Sequence, residues 1–395
     1  MISCVAAFIV LASVSNAQFA ASSTRVTLRD GLRSDLNDYL AKRALPEHIS
    51  ALSLSVSLPG TPSTINVAVG RTQFGGRGSV VTPQNLYQIG SNTKAFTAVA
   101  LLQLEAEGKL SIDQTVGKWL PQYPAWRTVS IRRLLNMTSD IPTYDDVFSM
   151  LAAYAAHPTR RWTADQLVRV VYPKVKPNAG WLYSNTAYIL SQMIIERATG
   201  DTYTSQINKR FINNPALGLR STYYQPHLYP ASVTSQMVSG YFFSNDPDNA
   251  GLAPLLGKDV HNFSVSWAQG AGGIVSSPQD VTRWSRALYE GPLLPAKQRR
   301  ELMTLVSQAT GKPIAAATAK EHGFGLGVGQ LFTPQTGLFW FYEGETLGYR
   351  MVYAYLPKSG AVVALGLNSQ PPKKEDHVGQ LMMAIFTRLR SAGKI

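Results

Sequence analysis

The chain has 395 residues, 45% hydrophobic and 15% charged, with a formal net charge of +13. This length and apolar content suit one large or two modest domains and exclude a disordered chain; no 20–50-residue repeat appears, which excludes a solenoid. Lys and Arg are scattered and no zinc-finger or RRM pattern is present, so nucleic acid is not an expected partner, and weak attraction to an anionic envelope or plain solubility accounts for the charge.

The first residues carry "CVAAFIVLASV", an apolar run too short to span a bilayer, and then "SNA" ahead of Gln18, a small-residue cleavage pattern. Residues 1–17 are therefore expected to be an export signal, although "MISC" lacks a basic side chain, and the protein is expected in the periplasm or the medium. The only cysteine, Cys4, falls in this segment, so the mature chain is expected to have no disulfide, thiolate nucleophile or cysteine-bound metal. No other stretch is long enough for a transmembrane helix.

Residues 28–395 read as one domain. Leu28, Leu32, Leu36, Tyr39 and Leu40 form one helical stripe. "ALSLSVSLPG" alternates through Leu52, Leu54, Val56 and Leu58 like a half-buried strand, and Pro59-Gly60 turns it into a second through Ile65, Val67 and Val69, a hairpin. Residues 91–290 are helical in character with long loops. "SIRRLLNMTS" predicts a short helix, "TAYILSQMIIERATG" one that ends at Gly200, and "SPQDVTRWSRALYEG" one that starts at Ser-Pro and ends at Gly291. Residues 245–264, rich in Asp, Pro, Gly and Asn, predict a loop. Four strand-like runs, "GFGLGVGQ", "GLFWFYEG", "YRMVYAYLP" and "AVVALGLN", follow residue 320. The last segment, "DHVGQLMMAIFTRLR", puts Val378, Leu381, Met382, Ile385, Phe386 and Leu389 on one helix face, suited to packing on a sheet. The predicted fold is α/β, an antiparallel sheet built from both chain ends and flanked by helices, with an all-helical insertion over 91–290. A ligand cleft is expected between the two regions.

"QIGSNTKAFTAVALLQLEAEGKL" sets Ser91 three residues before Lys94 at the start of an apolar helix, on one helical face. Two readings stand here. In one, Ser91 caps the helix and Lys94 reaches the surface. In the other, the pair is catalytic: a serine hydroxyl is a weak nucleophile without a base in contact, Ala95, Phe96 and Val99 disfavour a charged lysine, and the Ser91 N–H is an unsatisfied donor. Spacing does not decide, because Ser391-Ala-Gly-Lys394 repeats it in the tail. The histidines at 48, 157, 227, 261, 322 and 377 have no catalytic context and read as surface residues; G-x-S-x-G and metal-ligand spacings are absent, which weakens the Ser-His-Asp and zinc options, and no cofactor or metal is expected. Tyr183-Ser184-Asn185 supplies a phenol and an amide directly before a helix, either as proton acceptor and substrate holder or as buried aromatic and helix cap.

In order and spacing, "LYQIGSNTKAFTAVALLQLEAEGKLSIDQTV", "SIRRLLNMTS", "YSNTAYILSQMIIERATG", "AGGIVSSPQDVTRW" and "GETLGYRMVYAYLP" resemble the penicillin-recognising serine hydrolases. This superfamily includes serine D-Ala-D-Ala carboxypeptidases, class C β-lactamases and related esterases and D-aminopeptidases, and the resemblance spans roughly residues 30–370. It implies Ser91 as acylated nucleophile, Lys94 as its proton partner, Tyr183 as general base and later general acid, and Asn185 as the group orienting lysine and substrate. It implies an oxyanion hole from the backbone N–H groups of Ser91 and Glu345, donors worth about 2.7–4 kcal/mol each in other enzymes. The family's third motif, Lys or His, any residue, then Gly, matches Tyr342-Glu343-Gly344 here. A phenol at 342 neither depresses Tyr183 nor binds a carboxylate as a cation would, Glu343 and Glu345 disfavour anions or welcome an amine, and Arg350 is the candidate replacement cation. Asp140 stands where relatives usually carry Gly.

The resemblance implies a serine acyl hydrolase for small acyl or peptide substrates. D-Alanyl-D-alanine carboxypeptidase-like action on peptidoglycan peptides or D-amino acid amides comes first, then carboxylesterase or β-lactamase activity. A non-turnover penicillin-type sensor or wall-binding protein is the alternative of another class.

Overall fold

The structure, a computed structural model, describes residues 27–61 and 63–395; the expected signal segment and Cys4 lie outside them. Helix α1 (Leu28–Arg43) starts where the Thr27 hydroxyl accepts from the Asp30 N–H. Strands β1 (Ala51–Ser57), β2 (Ile65–Gln73) and β3 (Arg77–Val80) follow as a meander. The C-terminal part supplies β4 (Leu305–Ser307), β5 (Pro313–Ile314), β6 (Gly323–Phe324) and β7 (Gly329–Thr333). It continues with β8 (Gly337–Thr346), β9 (Tyr349–Leu356) and β10 (Ala361–Leu367). Among the described residues these form one ten-stranded sheet of order β3-β2-β1-β10-β9-β8-β7-β6-β4-β5. The two chain ends meet at β1 and β10, antiparallel, with Leu52 opposite Leu367. The run "GFGLGVGQ" is thus two strands, β6 and β7, broken at Gly327, whose φ of 76° is left-handed.

Helices α2 (Thr93–Ala106), α3 (Asn185–Thr199) and α4 (Pro278–Tyr289) lie on one side of the sheet, and α5 (Val378–Ser391) lies with α1 on the other. Leu32 and Leu36 of α1 and Ile385 and Leu389 of α5 pack on Leu54 and Val352. The amphipathic face of α5 is therefore spent on the sheet. On the opposite side α4 packs on β1, β9 and β10, and Trp284 stacks on Phe96 of α2 with ring centroids 3.6 Å apart.

Two expectations need correction. β1, expected to be half-buried, is buried on both faces, because Ser53 and Ser55 bond Tyr87 at 2.9 Å and Thr282 at 3.3 Å under the helical layer. The insertion is not all helical: its segments 222–224 and 274–276 form a small separate sheet with residues 87–88, which precede it. Within 245–264, Pro247–Leu255 is a 3-10 helix docked on the helix Phe148–Ala156. Gly251 permits that contact, since a Cβ there would stand 2.7 Å from the Leu151 Cβ. Among the described residues no helix is long and apolar enough to cross a membrane.

Candidate active site

Ser91 sits in a 3-10 turn, Gly90–Asn92, that runs directly into α2. Gly90 is left-handed at φ 50°, and a Cβ on it would lie 2.4 Å from the Glu345 carbonyl oxygen, so the turn needs glycine twice over. The Ser91 hydroxyl does not cap α2. Its Oγ hydrogen-bonds Tyr183 Oη at 2.5 Å and accepts from Lys94 Nζ at 2.8 Å. Lys94 is wholly buried. Its Nζ also donates to Asn185 Oδ1 at 2.6 Å and to the Ala271 carbonyl at 2.8 Å, and lies 4.8 Å from the centre of the Tyr183 ring. The helix-cap and surface-lysine reading is thereby excluded. Burial pushes the Lys94 ammonium down to about 7, against an opposing pull from Asp145. Ser391 and Lys394, which share the spacing, are exposed at the end of α5.

The second element is pinned from below. The Leu182 N–H donates to the Met137 carbonyl at 2.8 Å, and the Asn185 N–H donates to Thr143 Oγ1 at 3.0 Å. Ser184, not Asn185, caps α3 by accepting from the Ala187 N–H. The Asn185 carboxamide is therefore free to face Lys94 with Oδ1 and to donate through Nδ2 to Asp145 at 2.6 Å. Asp140 has φ 60°, a conformation glycine adopts freely and Asp tolerates. Its carboxylate accepts from the Ala179 N–H and from Arg133, bracing the loop that delivers Tyr183. Burial pushes the Tyr183 phenol up, so it stands as a neutral hydroxyl rather than a ready base.

The third element is the stretch of β8 beyond its pairing with β7, which ends at Phe341. Gly344 lies so close to the turn that a Cβ would sit 2.0 Å from the Ile89 carbonyl oxygen. This contact holds the Glu345 backbone against Gly90, beside Ser91. Tyr342 is buried, its hydroxyl has no hydrogen-bond partner among the described residues, and burial and the nearby Tyr183 push its phenol up. Arg350 does not replace the missing cation. It is wholly buried, donates to Glu47 at 2.8 Å, Asp376 at 2.5 Å and the Ser369 carbonyl at 3.0 Å, and is absent from the cavity wall. Carboxylate oxygens of Glu343, Glu345 and Asp376 lie within 4.8 Å of one another, and burial with that repulsion raises Glu343 to about 8.

These elements enclose a cavity of about 510 Å³ that Ser91, Tyr183 and Asn185 all line. Trp181, Trp267 and Leu252 form apolar wall, and Asn249 comes from the 3-10 helix predicted as loop. His322, one of the histidines read as uninvolved, also borders it. Asp145, Glu343 and Glu345 put three carboxylates on the wall, and among the described residues no Lys or Arg lines it. Asp145 is the site residue that sequence reasoning missed.

Sheet, helical layer and the hydroxyl–amine–phenol–carboxamide cluster define the class: the penicillin-recognising serine hydrolases. The chain belongs to the Beta-lactamase family, whose family model matches residues 51–384. It is 28% identical over 298 residues to penicillin-binding protein 4* of Bacillus subtilis (strain 168), a match covering 74% of this chain and 63% of that protein. It is 25% identical to protein flp of Staphylococcus aureus (strain MW2), over 75% of this chain and 56% of flp, so it spans less than two-thirds of these relatives. Among solved structures, a D-amino acid amidase from Ochrobactrum anthropi SV3 complexed with L-phenylalanine aligns with a TM-score of 0.77 at 24% identity, over 92% of this chain and 99% of the amidase. A D-stereospecific amidohydrolase from Streptomyces sp. aligns at 0.68 and 25% identity, over 91% and 97%.

Proposed function

We propose that the protein is an exported serine acyl hydrolase that works through an acyl-enzyme on Ser91. The observation that carries this is the convergence of Lys94 Nζ and Tyr183 Oη on one serine oxygen, at 2.8 and 2.5 Å. Lys94, depressed to about 7, is largely a neutral amine at mildly alkaline pH and takes the hydroxyl proton as Oγ attacks the substrate carbonyl carbon. The oxyanion is held by the Ser91 and Glu345 backbone N–H groups. Tyr183, a neutral phenol that bonds Ser91 and lines the cavity beside it, relays a proton to the departing amine, replenished from Lys94. Water then attacks the acyl-serine by the reverse route and frees the acid. The resemblance makes Tyr183 the base; its upward shift and the neutral residue at 342 favour Lys94 for that step.

The substrate class is D-amino acid amides and D-alanyl peptides. Within it, amides without a leaving-group carboxylate come ahead of carboxypeptidase substrates such as peptidoglycan stem peptides, because among the described residues no Lys or Arg lines the cavity and a neutral phenol, Tyr342, stands where the family carries a cation. The D-amino acid amidase and D-stereospecific amidohydrolase relatives support this order. The test is a panel of D-aminoacyl amides, D-Ala-D-Ala peptides, p-nitrophenyl esters and a chromogenic cephalosporin, run on wild type and Ser91→Ala, with intact mass followed in parallel. A transient acyl adduct on wild type alone, with amides turned over fastest, is expected. Esters outrunning every amide and peptide would replace this reading with a carboxylesterase. A permanent adduct would make the protein a sensor, and full activity in Ser91→Ala would remove the mechanism.

A further inference from the structure

We propose that Asp145 is a positioning residue: it locks the Asn185 carboxamide in the orientation that presents Oδ1 to Lys94, and it sets its own charge directly behind the amide that Lys94 bonds. This rests on the reading of Ser91 and Lys94 as nucleophile and base.

Asp145 lies in the 3-10 turn Tyr144–Asp146, outside both catalytic sequence elements. One carboxylate oxygen accepts from Asn185 Nδ2 at 2.6 Å and the other accepts from the Thr143 hydroxyl. Thr143 Oγ1 in turn accepts from the Asn185 backbone N–H at 3.0 Å. Residue 185 is thus gripped at its amide nitrogen and at its side-chain nitrogen by one short turn. That grip matters because the two ends of a carboxamide have the same shape and opposite hydrogen-bonding sense. A flipped Asn185 would point NH₂ at the Lys94 amine, donor against donor. An acceptor-only carboxylate on Nδ2 forbids the flip.

The groups facing Lys94 narrow its electrostatic control to the same residue. The loop before α3 presents the Tyr183 ring and α3 the Tyr188 ring and the Asn185 amide; the segment 269–272 presents the Ala271 carbonyl; the nucleophile turn presents Ser91. Glu345 of β8 bears on Tyr183. Asp145 is the carboxylate that favours the charged lysine against its burial.

The experiment uses the full chain carrying Asp145→Asn or Asp145→Ala. Lys94 titration is followed through its side-chain ¹³Cε resonance, and kcat and KM for p-nitrophenyl acetate are measured from pH 5 to 10. Asp145→Asn is near-isosteric and keeps an acceptor for Asn185 while removing the charge. Its Lys94 midpoint should fall by roughly one pH unit, and the acid limb of kcat/KM should fall with it. Asp145→Ala should lower plateau kcat about tenfold or more with KM little changed, and should add no further loss in an Asn185→Ala background. An unmoved Lys94 midpoint in Asp145→Asn would overturn the proposal. So would an Asp145→Ala effect confined to KM, the sign of a direct substrate contact. Failure of the underlying reading is a separate result, unimpaired turnover by Ser91→Ala, and the resonance midpoint is readable in either case.

Discussion

Arg350→Met tests whether the wholly buried Arg350 guanidinium is structural. The guanidinium and the Glu47 carboxylate are both fully enclosed, 2.8 Å apart. Removing one partner of such a pair costs about 3–5 kcal/mol, because the other charge is left without compensation. Here the cost falls at the low end, about 3 kcal/mol. Glu47 Oε1 keeps the Tyr39 hydroxyl at 2.5 Å and Arg43 Nε at 3.0 Å, and only Oε2 loses its donor. Asp376, the second partner, is partly exposed and recovers water. With a urea slope of about 3 kcal/mol per molar, the unfolding midpoint should drop by about 1 M at unchanged slope. Adding Glu47→Gln should restore part of the loss, because the stranded charge is gone. Hydrolysis well below the midpoint should match wild type in KM. An unmoved midpoint with a raised KM would refute the reasoning and return Arg350 to the substrate.

Four further outcomes are expected. Tyr183→Phe should lower kcat/KM for amides by about 10²–10⁴, the usual worth of a positioned proton donor, with acylation by activated esters less affected, since their leaving groups need no proton. Tyr342→Lys should raise the kcat/KM ratio of carboxylate-ended D-Ala peptides to D-aminoacyl amides by about tenfold, read from paired substrates; an unchanged ratio would mean that residue 342 does not sense the leaving group. Gly344→Ala should cut kcat by about 10²-fold while the protein stays folded by circular dichroism, because the added Cβ meets the Ile89 carbonyl at 2.0 Å and drives β8 off the nucleophile turn. Lys94→Met should change the pH dependence of stability. The native amine near 7 lies below its ordinary 10.5, so between those values the unfolded chain binds more protons and stability increases as pH rises. The gain in thermal midpoint of Lys94→Met over wild type should be largest below pH 7 and shrink toward pH 10; a constant gap would contradict the burial cost.

Much of this site was legible because its first two elements are local. Ser91 and Lys94 share a helical face by spacing, and Tyr183 and Asn185 flank the one residue, Ser184, that the helix uses as its cap. The sheet was legible at both ends from alternation, and β1 misled only in its exposure, since Ser53 and Ser55 are satisfied by hydroxyls distant in sequence. Arg350 failed because proximity to Gly348 in the chain says nothing about where a strand residue sends its side chain, and its partners come from Glu47 and Asp376. Asp145 was hidden in "TYDD", where nothing distinguishes it from Asp146; only the return of α3 past the turn gives it Asn185. His322 reaches the cavity on the loop before β6, a placement that depends on the sheet order.

The three acceptors around Lys94 Nζ also dictate direction. Two of them, the Asn185 and Ala271 oxygens, can only receive hydrogen, so a neutral amine with two hydrogens must spend both there. Its lone pair is then left pointing at the third, the serine oxygen 2.8 Å away, the one neighbour of the three with a proton to surrender. Losing its charge therefore aims the amine as well as freeing it, and the vector of proton flow is written into the scaffold before any ligand arrives.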